Sequence, residues 1–449
     1  MTDVSINSQV QSALVRSLET ISTKATSLVH HIPDNMPPLR HQQVKVPLDI
    51  TEGSTAAYRE LVDVPQVGYL TKVVLDVTVK PNAAGVIHNY LGHQVLDNVS
   101  LKTRNREIET LDGLGMYGQI SMLGTQKSLQ VARESVLGSG EAGKVGVSVN
   151  TGGASSDKRR VRLVLPFSSC DDLSVAYNTL FVEPLQLDLR LRALDISMAV
   201  DQVTGASTAD RQLSYQDANV TFHYVNYHDL TEQDVRSANF KPNMPAVVFG
   251  RDMLRESDAS ALTVDGTVRV NLRSNKLCYG IAAWIGGNAA TRNFPRTRIS
   301  QIASLRFVGS GQTLYDALAQ EACGGDETMY MLSTPSADTQ LGFGLYAQDG
   351  HLSDRIIANN LRSVSTSASA YRVGHIEFGL SRSGRYNSGT VGLQTLSDPY
   401  IEMKHASEGL NGWYFSTLVG NMDVYCYVYY YTLVQIDSGT GAVSRSLDH

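Results

Sequence analysis

Cysteine is scarce: the chain of 449 residues has four, Cys170, Cys278, Cys323 and Cys426, and no two share a short spacing. That excludes C-x-x-C zinc and redox motifs and is too sparse for a disulfide scaffold; free, mostly buried thiols are expected. Charge of one sign is not concentrated either. The 38 Lys and Arg stand against 44 Asp and Glu, a formal charge of −6 with no long acidic or basic block. A surface devoted to neutralising phosphates is therefore not expected, and no direct sequence-specific nucleic-acid contact is assigned. Long apolar runs are missing too. The longest, Leu277 to Gly287, falls short of the roughly 20 residues that a membrane helix needs. The start, Met1-Thr2-Asp3-Val4, lacks the basic and apolar regions of a secretory leader, so a soluble intracellular product is expected.

Motifs that carry chemistry are equally thin. Gly138-Ser139-Gly140-Glu141-Ala142-Gly143-Lys144 approaches a phosphate-binding loop, but Val145 stands where Ser or Thr would hold magnesium. Gly113-Leu114-Gly115-Met116-Tyr117-Gly118 matches G-x-G-x-x-G without the strand–helix–strand context that a dinucleotide site requires. His30-His31, His88 with His93, and His223 with His228 do not form metal-ligand spacings. No G-x-S-x-G elbow occurs. Asn98-Val99-Ser100 and Asn219-Val220-Thr221 fit the glycosylation pattern but fall in expected strands, and they are expected to be unmodified. No catalytic, cofactor-binding or metal-ligating residue is assigned, and no enzyme activity is expected.

What the chain does have is periodicity. Val10, Leu14, Leu18, Ile21, Ala25 and Leu28 recur at steps of three and four, which predicts one amphipathic N-terminal helix. Pro33, Pro37 and Pro38 end it. Its apolar face, with Val10, Leu14, Leu18, Ile21 and Leu28 as the candidate assembly residues, either folds back on its own domain or docks on a neighbouring subunit, an inner-shell protein or a membrane.

Beyond Pro38 the period changes to two. Val73, Leu75, Val77 and Val79 alternate with Val74, Asp76, Thr78 and Lys80; Leu185 to Leu191 and Val268 to Leu272 alternate likewise. Each predicts a half-buried antiparallel strand. The last strand is different, because Val424, Cys426 and Val428 on one face oppose Tyr425, Tyr427, Tyr429 and Tyr431 on the other. Both of its faces should be covered, and the tyrosines are expected to form a sandwich core or barrel–barrel seam more readily than a sugar-stacking platform. Turn residues separate the runs, the pattern of a β-sandwich.

A weak internal repeat runs through the chain. Tyr224-Val225-Asn226-Tyr227 has a counterpart in Tyr427-Val428-Tyr429-Tyr430, offset by 203; Ser100-Leu101-Lys102 in Ser304-Leu305-Arg306, offset by 204; and Tyr177-Asn178 in Tyr386-Asn387, offset by 209. Three pairs in the same order predict a duplicated unit of about 200 residues, the size of one sandwich with long loops.

These stretches resemble the double jelly-roll major capsid proteins, especially those of nucleocytoplasmic large DNA viruses. Gly92-His93-Gln94-Val95-Leu96-Asp97 with the following strand is similar to the family's IGGQ-x-ID hairpin. Leu165-Pro166-Phe167 with Leu180-Phe181 is similar to the segment before the strand that closes the first barrel, here Leu185 to Leu191. Tyr386-Asn387-Ser388-Gly389-Thr390-Val391-Gly392-Leu393, then Leu396-Ser397-Asp398, resembles the PSG-x-x-NFS-x-L-D hallmark of the second barrel without its Pro, Asn and Phe. Tyr429 to Gly439 resembles the terminal YN-x-L-x-I-x-x-G. The helix leading into extended chain is also similar to capsid proteins of tail-less, membrane-containing phages, and adenovirus hexon shares the architecture.

The resemblance implies an all-β chain of two tandem eight-stranded jelly-roll sandwiches behind an N-terminal helical arm, with residues 1–40 as the arm, 41–238 as the first jelly roll and 239–449 as the second. It implies a homotrimer of pseudo-hexameric outline in an icosahedral virion, assembled in the host cytoplasm. The implied partners are neighbouring capsomers, penton and minor capsid proteins, and, through the arm, an internal membrane or membrane-associated protein. Segments 113–159 and 324–367 are expected as outer loops. The alternative reading is a viral spike, minor capsid component or other β-sandwich protein that binds a receptor or glycan.

Overall fold

The computed structural model describes residues 39–81, 86–87, 91–104, 106–123, 158–170, 175–194, 199–200, 213–227, 247–256, 267–274, 276–287, 299–300, 302–318, 374–378, 389–405, 422–437 and 440–446. The expected arm with Val10, Leu14, Leu18, Ile21 and Leu28 lies outside these residues, as do Cys323, Gly138 to Lys144 and segment 324–367.

Two sets of eight principal strands, each of four residues or more, follow one another. The first is β1 (Leu39–Pro47), β2 (Tyr58–Asp63), β3 (Tyr69–Pro81), β4 (Leu96–Thr103), β5 (Glu107–Asp112), β6 (Arg159–Leu165), β7 (Leu185–Leu191) and β8 (Leu213–Tyr227). The second is β9 (Val247–Arg255), β10 (Thr267–Asn271), β11 (Leu277–Gly287), β12 (Ile302–Gly309), β13 (Gln312–Leu318), β14 (Gly374–Glu377), β15 (Tyr400–His405) and β16 (Met422–Ile436). A last short strand, β17 (Val443–Ser446), pairs with β16.

The strand order identifies the architecture. In the first set one sheet runs β1-β8-β3-β6 and the other β2-β7-β4-β5; in the second, one runs β9-β16-β11-β14, with the two-residue strand Ile299–Ser300 also on the outer edge of β11, and the other β10-β15-β12-β13. Adding eight to each label of the first set gives the second. All of these pairings are antiparallel. In each set the first strand lies beside the last, and each sheet takes every neighbour by a crossover except the one hairpin pair, β4 with β5 or β12 with β13. This is a jelly roll, in which two antiparallel sheets face each other over a core. Ser100 lies in β4 and Ser304 in β12, Tyr224 in β8 and Tyr427 in β16, so two of the three repeat pairs fall on corresponding strands.

The interiors follow from the alternation. In β10, Val268 and Val270 are buried while Thr267, Arg269 and Asn271 are exposed. The second sandwich's own core is Val268, Val270, Leu272, Ile281, Leu305, Phe307, Ile401, Met403, Val424, Cys426 and Val428, with several smaller contributors. The first core gathers Val73, Leu75, Val77, Val99, Leu101, Leu163, Leu187, Leu189, Val220 and Phe222, and it continues into the second set through Met253, Trp284, Tyr425, Tyr427 and Tyr429. Cys170, Cys278 and Cys426 are free thiols, and burial pushes those of Cys278 and Cys426 well above the ordinary thiol range.

Two expectations need correction. Strand β3 is not half-buried: Val74, Asp76 and Thr78 on its second face are buried as well. Asp76 is covered because Arg160 on neighbouring β6 donates to both of its carboxylate oxygens, at 3.2 and 2.8 Å. Leu185 to Leu191 does not close the first barrel; it is an inner strand between β2 and β4, and β8 beside β1 is the last. Its polar face carries Asp188, which Arg59 and Lys102 grip at 2.8 Å each. The hydrogen bonds from Arg59 hold that carboxyl well below the usual carboxylate range. Gly92 to Val95 falls in α1 (Leu91–Val95), one turn of helix that runs directly into β4, and β4 with β5 forms the hairpin that follows.

Phe307 is 1% exposed and Leu61 on edge strand β2 is 50% exposed. Phe307→Ala is expected to destabilise the protein by about 3–5 kcal/mol, whereas Leu61→Ala should stay within about 0.5 kcal/mol, both read from urea unfolding midpoints.

Candidate functional site: the seam between the two sandwiches

Strand β5 ends at Asp112, and the chain turns at once into α2 (Gly113–Leu123). The Asp112 carboxylate accepts the backbone N–H groups of Leu114 at 2.8 Å and Gly115 at 2.9 Å, the two free donors that an N-cap side chain serves. The same oxygen accepts the hydroxyl of Tyr427 at 2.9 Å. One carboxylate thus starts a helix of the first half and holds a strand of the second.

Helix α2 lies on the β9-β16-β11 face of the second sandwich. The approach is close enough to require glycine. A Cβ on Gly115 would sit 2.4 Å from Met253 Sδ and 2.9 Å from Tyr427 Cδ1. One on Gly118 would sit 2.5 Å from Tyr429 Oη and 2.9 Å from Trp284 Cζ3. The G-x-G-x-x-G spacing is therefore a packing device that lets a helix backbone touch an aromatic sheet. It also corrects the expectation of an outer loop over 113–159, since residues 113–123 are a helix, with 113–116, 118 and 119 buried.

The aromatic face is ordered. Trp284 stacks on Tyr425 and on Tyr427, with ring centroids 5.4 and 5.6 Å apart and planes within 12°. Tyr429 donates its hydroxyl to the Gly115 carbonyl at 2.7 Å, and Gln119 donates to the Tyr279 hydroxyl at 3.1 Å. Burial drives the Tyr427 and Tyr429 hydroxyls well above their ordinary range, so both stay protonated donors. The tyrosine ladder faces the seam, while Val424, Cys426 and Val428 on the opposite face enter the second core. Tyr425, Tyr427 and Tyr429 are at most 1% exposed, which removes them as a sugar-stacking platform.

Beside the aromatic zone lies a buried polar cluster. Glu109 on β5 accepts the backbone N–H of Ser168 at 3.0 and 2.9 Å and its hydroxyl at 3.0 Å. The Ser168 hydroxyl in turn accepts the backbone N–H of Arg251, on β9, at 2.6 Å. Burial pushes the Glu109 carboxyl up to about 8, against the pull of the Arg251 charge and the Ser168 hydrogen bonds. Next to it, Asp252 pairs with Arg445 of β17, and Arg445 also reaches Glu107 of β5 at 4.0 Å. Lys276 donates to Tyr430 at 3.1 Å, and its ammonium sits 4.2 Å over that ring.

None of this cluster was singled out in the sequence. Asp252 and Arg445 are 193 positions apart, and single charged residues carry no spacing signal. His93, by contrast, is fully buried beside Gly113, and burial lowers its imidazole to about 3, a neutral core histidine. Among the described residues no group of three His, Cys, Asp or Glu is placed to hold a metal. Ser168 is tied to a carboxylate rather than to a base–acid relay. The seam's groups hold two sandwiches together; they present no reacting constellation.

No protein-family model matches the sequence, and no curated protein does. Solved structures do. A chain of the PBCV-1 virus capsid is similar over 94% of this chain and 100% of its own, at 12% identity and a TM-score of 0.62. The Faustovirus major capsid protein is similar over 96% and 98%, at 8% identity and a TM-score of 0.52. A chain of the Sputnik virophage is similar over 94% and 91%, at 10% identity and a TM-score of 0.54. At these identities the likeness is one of fold, and the double jelly roll extends through both halves of this chain.

Tyr427→Phe is expected to lower stability by about 1 kcal/mol, since it removes one of three donors from the half-buried Asp112 carboxylate. Gly118→Leu should cost more, about 3 kcal/mol or above, because the helix must leave the sheet. Thermal or urea unfolding checks both. Glu109 supplies a pH test with a defined sign. Its carboxyl rises on folding from 4.5 to about 8, so the folded state holds the proton more tightly. Stability is full below the lower value and falls by up to about 1.4 kcal/mol per pH unit across the window. Glu109→Gln should flatten that slope whatever its absolute stability, measured as unfolding midpoints against pH.

Proposed function

We propose that this chain is the major capsid protein of an icosahedral DNA virus, a structural building block without catalytic activity. The observation that carries the reading is the full-length likeness to the PBCV-1 capsid chain, 94% of this chain against 100% of that one. A shared sandwich alone would be weak support, because one fold hosts many functions. Here the likeness runs over 94% of this chain and all of that one, and so takes in both of this chain's strand sets, whose orders match each other.

The physics of a shell fits the description. Two similar but non-identical sandwiches per chain, in three chains, give six positions for a hexagonal tile, so the expected species is a homotrimer of pseudo-hexameric outline. Closed cyclic symmetry repeats one contact type without propagating fibres. A tile of this kind needs its two halves held at one angle, and a seam of interlocked aromatics and paired buried charges supplies that rigidity. We assign residues 41–238 and 239–449 to the two units and 1–40 to an assembly arm, in which Val10, Leu14, Leu18, Ile21 and Leu28 face a neighbouring capsomer, a minor or penton protein, or an internal membrane surface. The site of action is the virion, after assembly in the host cytoplasm.

Size-exclusion chromatography with light scattering tests the reading directly. A particle of three times 48.9 kDa is expected; a stable monomer would remove the tile. Deleting residues 1–30 is expected to leave the trimer intact and to impair shell assembly, scored by electron microscopy of particles. Loss of the trimer itself in that deletion would count against an arm that acts between capsomers.

A further inference from the structure

The chain does not end where the second sandwich's eighth strand ends. After Ile436 it turns back through Asp437 to Ala442, with Asp437 N–H donating to the Ala442 carbonyl at 2.9 Å and Gly441 N–H to the Asp437 carbonyl at 2.8 Å. It then adds β17 alongside β16, with Ile436 opposite Val443 and Leu433 opposite Ser446.

A strand that merely widened the second sandwich would make its side-chain and turn contacts there. β17 and its turn make them across the seam, at three points. At the turn, Glu183 N–H of the first sandwich donates to the Gly441 carbonyl at 3.0 Å. Gly441 has φ +71°, and a Cβ there would lie 2.1 Å from the Phe181 carbonyl oxygen. At the start of the strand, Val443 N–H donates to the Glu183 carboxylate at 2.9 Å, and the Val443 side chain, 1% exposed, belongs to the first core. Near its end, Arg445 lies between Asp252 of the second sandwich and Glu107 of the first.

We propose that the C-terminal turn and β17 form a clasp: they belong to the second sandwich by strand pairing, lock it to the first through the backbone of Gly441 and Val443 and the side chains of Val443 and Arg445, and fix the angle between the two. When the clasp is released, the seam loosens while each sandwich keeps its own sheets. This goes beyond the capsid reading and rests on contacts within one chain, so it stands or falls separately from trimer formation.

Trp284 reports on the seam because it is fully buried against Tyr425 and Tyr427. In a Trp413→Phe background it is the one tryptophan left of two. Two variants of the purified full-length oligomer release the clasp by different means: a chain ending at Asp437, and Gly441→Val, whose side chain collides with the Phe181 backbone in a left-handed backbone conformation. Both are expected to raise acrylamide quenching of Trp284 several-fold and to give two calorimetric transitions where the unaltered chain is expected to give one, with the far-ultraviolet strand signal retained. Trp284 as protected as in the unaltered chain, with one transition, would overturn the proposal. Loss of the strand signal in both variants would overturn it as well, since β17 would then be part of the second sandwich's core and not a fastening laid over it.

Discussion

Everything between the two halves depends on how near helix α2 comes to the aromatic face of β11 and β16. Gly115 and Gly118 bring the helix backbone onto the rings of Tyr427, Tyr429 and Trp284, and at that distance the tyrosine hydroxyls reach acceptors on the helix and its cap. With any larger residue at either position the hydroxyls would lose those partners together, and a buried hydroxyl without a partner costs about 1–3 kcal/mol. Close approach and hydrogen bonding are thus one condition.

The polar cluster gives the seam its uniqueness. Greasy surfaces slide; a buried carboxylate that needs particular donors does not. Glu109 is satisfied by Ser168, and Ser168 by the backbone of Arg251, so a shift of one strand position would leave a buried carboxyl and a buried hydroxyl without partners. Removing one partner of such an arrangement is far more damaging than its net contribution implies. In the sheets themselves, the outward-facing pairs are less demanding: Arg59 is 60% exposed at its bond to Asp188, and pairs of that kind contribute about 1 kcal/mol or less.

The fold was legible in the sequence because it is written in periods. Val268 and Val270 alternate with polar residues in β10, and the structure buries them and exposes their neighbours; the doubled apolar character of Val424 to Tyr431 announced a strand covered twice. The second face of β3 was misread since Asp76 looks like a solvent residue until Arg160 is folded over it. The central position of β7 depends on crossovers, which leave no local trace. The seam was half legible. Its tyrosines were visible as a ladder, whereas Gly115 and Gly118 suggested a nucleotide motif because close backbone approach to a phosphate and close approach to a ring select the same residue. Glu109, Arg251, Asp252 and Arg445 come together only through tertiary structure.

The order of the elements along the chain has a bearing on synthesis. The aromatic face would be a sticky surface if it formed uncovered, an invitation to aggregate while the rest of the polypeptide is still emerging from the ribosome. Its cover, α2, ends at Leu123, well upstream of β11 at Leu277 and of β16 at Met422. Translation therefore delivers the lid before the surface it shields, and the last rings to leave the exit tunnel meet a companion already made.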